Sequence, residues 1–233
     1  MTVLIVALAP VVIILFYVYF RDKYEKEPVG LLLKALLAGA FIVLPIILVE
    51  RVISYFNPGI PGTVLYGFWN AFAVAGFTEE LFKFAALYLL IWRNPNFNEK
   101  FDGIVYAVFV SLGFAAVENV MYVVNSGMQT ALMRAWTAVP IHAILGVTMG
   151  YYFGIAHMYP EIRRTFLLRS ISVPVLLHGF YDFILMSGLP WLLSLFLPFV
   201  IYMYYSGLKR MKIISDASIF RTDSNNDPAE FEI

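Results

Sequence analysis

Residues 64–92 read VLYGFWNAFAVAGFTEELFKFAALYLLIW. The run is longer than the roughly 20 residues that carry a helix across a bilayer core. Its only charges are Glu79, Glu80 and Lys83, all well inside it. An ionised side chain at the centre of a membrane helix costs roughly 2.5–3.5 kcal/mol on insertion scales. Such residues face a bundle interior or a water-filled cavity, and they mark function.

The rest of the chain extends that reading. It has 233 residues, 61% hydrophobic and 14% charged, and its mean hydropathy is +0.78. Soluble domains average about 45–50% apolar and about 25% charged, so the chain belongs in a membrane. No basic patch with interleaved aromatics appears, and no nucleic-acid partner is expected. With no cysteine, disulfides, thiolate nucleophiles and thiolate metal sites are excluded. The first apolar run lacks the basic leader and small-residue cleavage site of a signal peptide, so it reads as a retained span.

Hydropathy and turn residues give an all-α, polytopic protein of about seven spans, near 2–20, 30–49, 64–92, 103–125, 129–157, 165–186 and 189–207. The third and fifth exceed the usual length and must tilt, kink or protrude. One helical domain covers 1–211, and the polar residues 212–233 are expected to form a disordered cytoplasmic tail. Loop charges orient the bundle. Arg21, Lys23, Lys26, Arg93, Lys100, Arg163, Arg164, Lys209, Arg210, Lys212 and Arg221 fall on one side, against Arg51 on the other. Cytoplasmic loops are the Lys/Arg-rich ones, so the N-terminus is expected outside and the C-terminus inside.

Some intramembrane charges have plain explanations. Lys34, Arg169 and Arg134 lie near span ends and read as snorkelling to the interface. His157, among aromatics, reads as structural. Glu79, Glu80, Lys83, Glu118 and Asp182 lie deeper, with His142 and His178 at similar depth. Glu79 and Lys83 share a helix face at i,i+4, as do His178 and Asp182, and Glu80 is about 100° away. The stripe His142–Gly146–Gly150 allows close helix approach, and Pro140 is expected to kink the same helix. Taken alone, a Glu79–Lys83 pair is packing glue and a His178–Asp182 pair a satisfied core histidine. Five deep charges on three helices, with His142 on a fourth, make a site. It lies in the middle and outer half of the membrane, with Glu118 and Asp182 on the order of 10 Å below the outer surface.

The inventory narrows the chemistry. No histidine is followed by Glu, which excludes a His-Glu-x-x-His zinc site. Asp182 is the only deep aspartate, which excludes a two-aspartate enzyme, and no Gly-x-Ser-Gly is present. Glutamate-activated water remains, with the histidines polarising it or binding metal. Glu118, His142, His178 and Asp182 are the candidate ligands, and zinc the candidate cofactor, since imidazoles and carboxylates suit Zn²⁺ with one open position.

Glu79-Glu80-x-x-Lys83, Phe114-x-x-x-Glu118-Asn119 and His178-x-x-x-Asp182 resemble, in order and on separate helices, the three motifs of the PrsW intramembrane proteases. Arg21-Asp22-x-x-Glu25-Lys26-Glu27-Pro28 looks like the segment with which that family opens. More distantly, the pattern is similar to the CAAX-type prenyl-protein proteases, and departs from them at Glu118 and Asp182. The resemblance implies a bacterial cell-membrane endopeptidase making a site-1 cut in a single-span regulator, typically an anti-sigma factor, on its extracytoplasmic side. A second intramembrane protease would act downstream. Glu79 or Glu80 would activate water, with Glu118, His142 and His178 nearby, by a glutamate-type or metal-dependent route. A proton-coupled transporter and a non-enzymatic scaffold are the competing classes. Buried carboxylates also make proton relays, although no inverted repeat or pair of broken helices is seen.

Overall fold

A computed structural model describes residues 2–221, and every regular element among them is helical. α1 (Thr2–Arg21) is followed by α2 (Val29–Phe41) and α3 (Val43–Tyr55), one rod interrupted at Ile42. The quoted stretch is not one helix. It splits into α4 (Val64–Trp69), a π-helical segment (Asn70–Phe77) and α5 (Thr78–Ile91). α6 (Lys100–Trp136), α7 (Ala138–Met158), α8 (Arg163–Met186), a 3₁₀ turn (Pro190–Leu195) and α9 (Phe196–Asp216) complete the order. Five stretches are long and apolar enough to cross a membrane: Thr2–Arg21, Val29–Tyr55, Lys100–Met158, Arg163–Met186 and Pro190–Asp216. Lys100–Met158 contains both α6 and α7. The last helix runs four residues past 212, and 222–233 lie outside the described residues.

Local chemistry sets the starts. The Thr63 hydroxyl accepts from the Tyr66 amide at 3.3 Å and opens α4. Glu99 and Asp102 form a reciprocal capping box at α6, pairing amide donors the helix leaves orphaned.

α6 and α7 pack antiparallel at the centre, because glycines let their backbones touch. A Cβ on Gly150 would lie 2.2 Å from the Gly103 carbonyl oxygen, and one on Gly103 2.7 Å from that of Gly150. Further along, Gly146 lies against Ala107, Val108 and Ser111. The small-residue stripe below His142 is therefore a packing seam. α2 crosses α6 in the same way, Gly39 against Val110 and Gly113 against Leu36. α8 lies along α4 and the π segment, with Gly67 against Met186 and Gly76 beside Gly179. α9 follows α7, with Arg210 donating to the Thr148 hydroxyl at 3.0 Å.

Two breaks interrupt the 100–158 stretch. Pro140 sits in the first turn of α7, and the helix breaks three residues before it, where a proline removes the bond to the i−4 carbonyl. The break is at Thr137 (φ −118°, ψ −79°). The sharper reversal is Gly127, at φ 79° and ψ −164°, a conformation open essentially to glycine alone. Sixteen residues of straight helix would separate Glu118 from Arg134 by about 24 Å. Their side chains instead meet at 2.6 Å, so residues 128–136 fold back along 118–123. Ala131, Val123 and Ala7 share one apolar cluster there.

Candidate active site

α5 presents its polar triplet through the π segment. The extra residue in the winding is held partly by Thr78, whose hydroxyl donates to the Ala73 carbonyl at 3.3 Å. π segments are frequent at functional sites. Here it ends at Phe77, two residues before Glu79.

Lys83 is the hub. It is fully buried, and its ammonium donates to Glu79 Oε2 at 3.0 Å, Glu80 Oε1 at 2.8 Å and His142 Nδ1 at 3.2 Å. An ammonium carries three donors and no acceptor, so all three are used. The same rule fixes the His142 tautomer. Nδ1 accepts from Lys83, hence Nε2 carries the proton and donates to Glu118 Oε2 at 3.0 Å. The Phe114 ring covers the Lys83 ammonium at 4.2 Å.

His178 stands between carboxylates. Nδ1 meets Glu80 Oε1 at 2.9 Å, while Nε2 lies 3.4 Å from Asp182 Oδ2 and 3.9 Å from Glu79 Oε2. The two imidazole rings stand edge to face, 5.4 Å apart. All seven residues singled out in the sequence thus form one connected network, drawn from α5, α6, α7 and α8.

The two adjacent glutamates differ. Glu79 lines a cavity of about 1020 Å³, together with Glu118, His142, His178 and Asp182. Glu80 is fully buried behind it, with Oε1 shared by Lys83 and His178 and Oε2 unpartnered among the described residues. The cavity extends to Asn125, Ser126 and Thr130 at the Gly127 reversal.

Three residues have places that the sequence reading did not give them. Arg134 does not snorkel. The Gly127 reversal turns it inward, where Nη2 donates to Glu118 at 2.6 Å and Nε to Asn119 Oδ1 at 2.7 Å. Asn119 in turn donates to the Ala7 carbonyl at 2.7 Å, tying α1 to the site. Glu50, on α3, lines the same cavity. His157 is structural, its ring stacked on Phe97 at 4.0 Å.

The donors suit a metal by kind and spacing. Glu79, His142 and His178 each offer an atom within 4.8 Å of the others, and two imidazoles with a carboxylate are a hydrolytic zinc set. Of the carboxylates expected as ligands, Glu118 lies against His142 Nε2, and Asp182 shares the Nε2 side of His178 with Glu79, while Glu80 holds its Nδ1 from behind, as carboxylates beside ligating histidines do. Both His142 nitrogens are engaged, by Lys83 and Glu118, so ligation would exchange one of those bonds.

A multi-helix membrane protein with buried carboxylates and imidazoles around an open cavity has the groups that an intramembrane hydrolase needs. Comparison with known proteins makes the class specific. A family model described as "PrsW family intramembrane metalloprotease" matches residues 27–206. The chain is 38% identical to Protease PrsW of Bacillus subtilis (strain 168) over 206 residues, 88% of this chain and 92% of that protein. It is 34% identical to Protease PrsW of Halalkalibacterium halodurans, over 91% of this chain and 96% of that one. A third, Protease PrsW of Clostridioides difficile (strain 630), is 34% identical over 89% of each chain. No solved structure matches. The chain belongs to the PrsW family, and it is a bacterial multi-pass membrane protease.

Proposed function

We propose that the protein makes the first, site-1 cut in a single-span membrane regulator of the anti-sigma-factor kind, on the extracytoplasmic side, with Glu79 as general base. The observation that carries this is the contrast between the two glutamates: Glu79 faces the cavity, whereas Glu80 is sealed behind it against Lys83 and His178. Glu79 takes a proton from water, the hydroxide attacks the scissile carbonyl carbon, and the proton passes to the departing amine. Glu80 and Asp182 orient His178, whose Nε2 edge faces the cavity and stabilises the developing oxyanion. Arg134 and Lys83 hold Glu118 and Glu79 in place. The anchored product then suits a second intramembrane protease acting downstream.

Seven crossings, with the N-terminus outside and the C-terminus cytoplasmic, fit the antiparallel path of the helices and the loop charges. Reporter fusions near residues 60 and 127 should then read outside. A cytoplasmic reading at either would turn the cavity mouth to the wrong face. With seven crossings, the chain from residue 212 onward is then cytoplasmic.

Zinc held by Glu79, His142 and His178 would supply Lewis acidity to the water and the carbonyl. Purified protein should then contain about one metal per chain, and chelation should stop cleavage until zinc is returned. Full activity in metal-free protein would leave the glutamate route alone.

The decisive experiment is cleavage of a membrane-anchored substrate by purified protein. Glu79→Gln and His178→Ala should fold and insert, yet lose about 10²–10⁴-fold in rate, the usual contribution of a general base. Near wild-type cleavage by Glu79→Gln would end the proposal.

A further inference from the structure

Glu50 stands apart from the motif residues. It lies on α3, half-buried, and faces the cavity that Glu79 lines. The Trp69 indole N–H donates to the Ile53 carbonyl at 3.1 Å, so the end of α3 that carries Glu50 is pinned to α4. Four carboxylates line the cavity, those of Glu50, Glu79, Glu118 and Asp182, and Arg134 is the one Lys or Arg among its described lining residues. Three of the four are matched. Glu79 has Lys83, Glu118 has Arg134 and His142, and Asp182 has His178. Glu50 makes no hydrogen bond or ion pair with any described residue.

A carboxylate at membrane depth is costly to keep, and its partner is what explains it. The protein offers Glu50 none, and the cavity it faces is acidic on balance. We infer that Glu50 is a specificity residue that receives a cationic side chain, Lys or Arg, of the substrate segment lying in the cavity. This rests on the protease reading and deepens it: substrates would carry a basic residue close to the cut. A charge-assisted contact of this kind contributes more than a neutral one, and each 1.4 kcal/mol is a factor of ten. Lysine should therefore be favoured over glutamine by about tenfold or more at one position.

The test uses the full chain in phospholipid nanodiscs and matched membrane-anchored substrates. Each flanking position in turn carries Lys, Gln or Glu, and the readout is the ratio of kcat/KM values. The wild type should prefer Lys at one position. In Glu50→Gln the Lys:Gln ratio should fall toward one, and in Glu50→Lys the preference should turn to Glu, an inversion that a misfolded variant cannot produce. A wild type with no charge preference, or a ratio unchanged in Glu50→Gln, would overturn the inference and leave the protease reading standing. A second arm measures binding of fluorescent Lys- and Gln-bearing peptides to Glu79→Gln protein. Lys-selective binding that depends on Glu50, beside a wild type that cleaves nothing, would sink the protease reading and keep this one. Absence of any Lys preference in both arms would overturn the inference.

Discussion

The protein buries two groups of carboxylates, and they are balanced in different ways. Among the motif residues of the active site each carboxylate touches a nitrogen donor, Glu50 standing apart: Glu79 and Glu80 meet Lys83, Glu118 meets Arg134, and Asp182 meets His178. At the opposite end of the bundle, Asp22, Glu27, Glu99 and Asp102 are buried without an ion pair among the described residues. Backbone amides and hydroxyls serve them instead. Tyr106 donates to Glu27, Ser218 to Glu99 at 2.5 Å, and the amides of Asn98 and Glu99 to Asp102. One oxygen each of Asp22 and Asp102 has no partner there. The first group is held against two fixed cations, Lys83 and Arg134, and against imidazoles, whereas the second has no cation in contact and is pushed toward its protonated form. Burial pushes the Asp22 carboxyl up to about 7, and Glu27 and Glu99 rise for the same first cause.

Removing a cation is the harshest way to break this contrast. Lys83→Met strands two buried carboxylates and should cost about 3–5 kcal/mol, the usual penalty for breaking a buried pair. Thermal unfolding in detergent would show it, and an unchanged midpoint would mean that Glu79 and Glu80 are already protonated.

Removing an acid at the other end should have the opposite sign. Asp22→Asn keeps the acceptor for the Glu27 amide and should stabilise by about 1 kcal/mol near pH 8, within the normal range for one substitution. Its pH dependence follows from linkage. The folded carboxyl titrates at about 7 and the unfolded one near 3.8, so the folded state holds the extra proton between those values. Wild-type stability should be greatest below pH 4, decline toward pH 7 and stay level above, as far as this group decides it. Asp22→Asn should flatten that slope. A midpoint that rises between pH 4 and 7 would show these acids paired with cations after all.

His157→Ala gives the smallest effect and serves as the control. It removes a ring stacked on Phe97 and edge-on to Trp92. Stability should fall by about 0.5–1.5 kcal/mol with cleavage rate unchanged.

The two groups were also unequally legible in the sequence. Glu79, Glu118, His142, His178 and Asp182 announced themselves because a polar group inside an apolar run is expensive, and cost can be read from composition. Asp22, Glu27 and Glu99 lie in segments that read as ordinary charged loops. Their burial depends on α1, α6 and the end of α9 meeting, which no local pattern records. Arg134 was hidden by Gly127: without the reversal it belongs at a span end, and with it beside Glu118. Glu50 fell just past the expected end of the second span, since α3 runs on to Tyr55. Helix periods were readable, and the winding of Asn70–Phe77 was not, because a π segment has the same apolar composition as an α-helix.

That π segment makes the protein intolerant of length changes at one point. A helix with one surplus residue could shed it and return to ordinary α winding, but each residue turns the chain by about 100°. Gly67 fits against α8 before the π segment and Gly76 near its end, and Glu79 and Lys83 fit the network after it. Deleting a single residue between 70 and 77 would leave the stretch helical and apolar, and still able to insert. It would swing either the glycines off α8 or the glutamates out of the cavity, so a shortened chain would be well wound and inert.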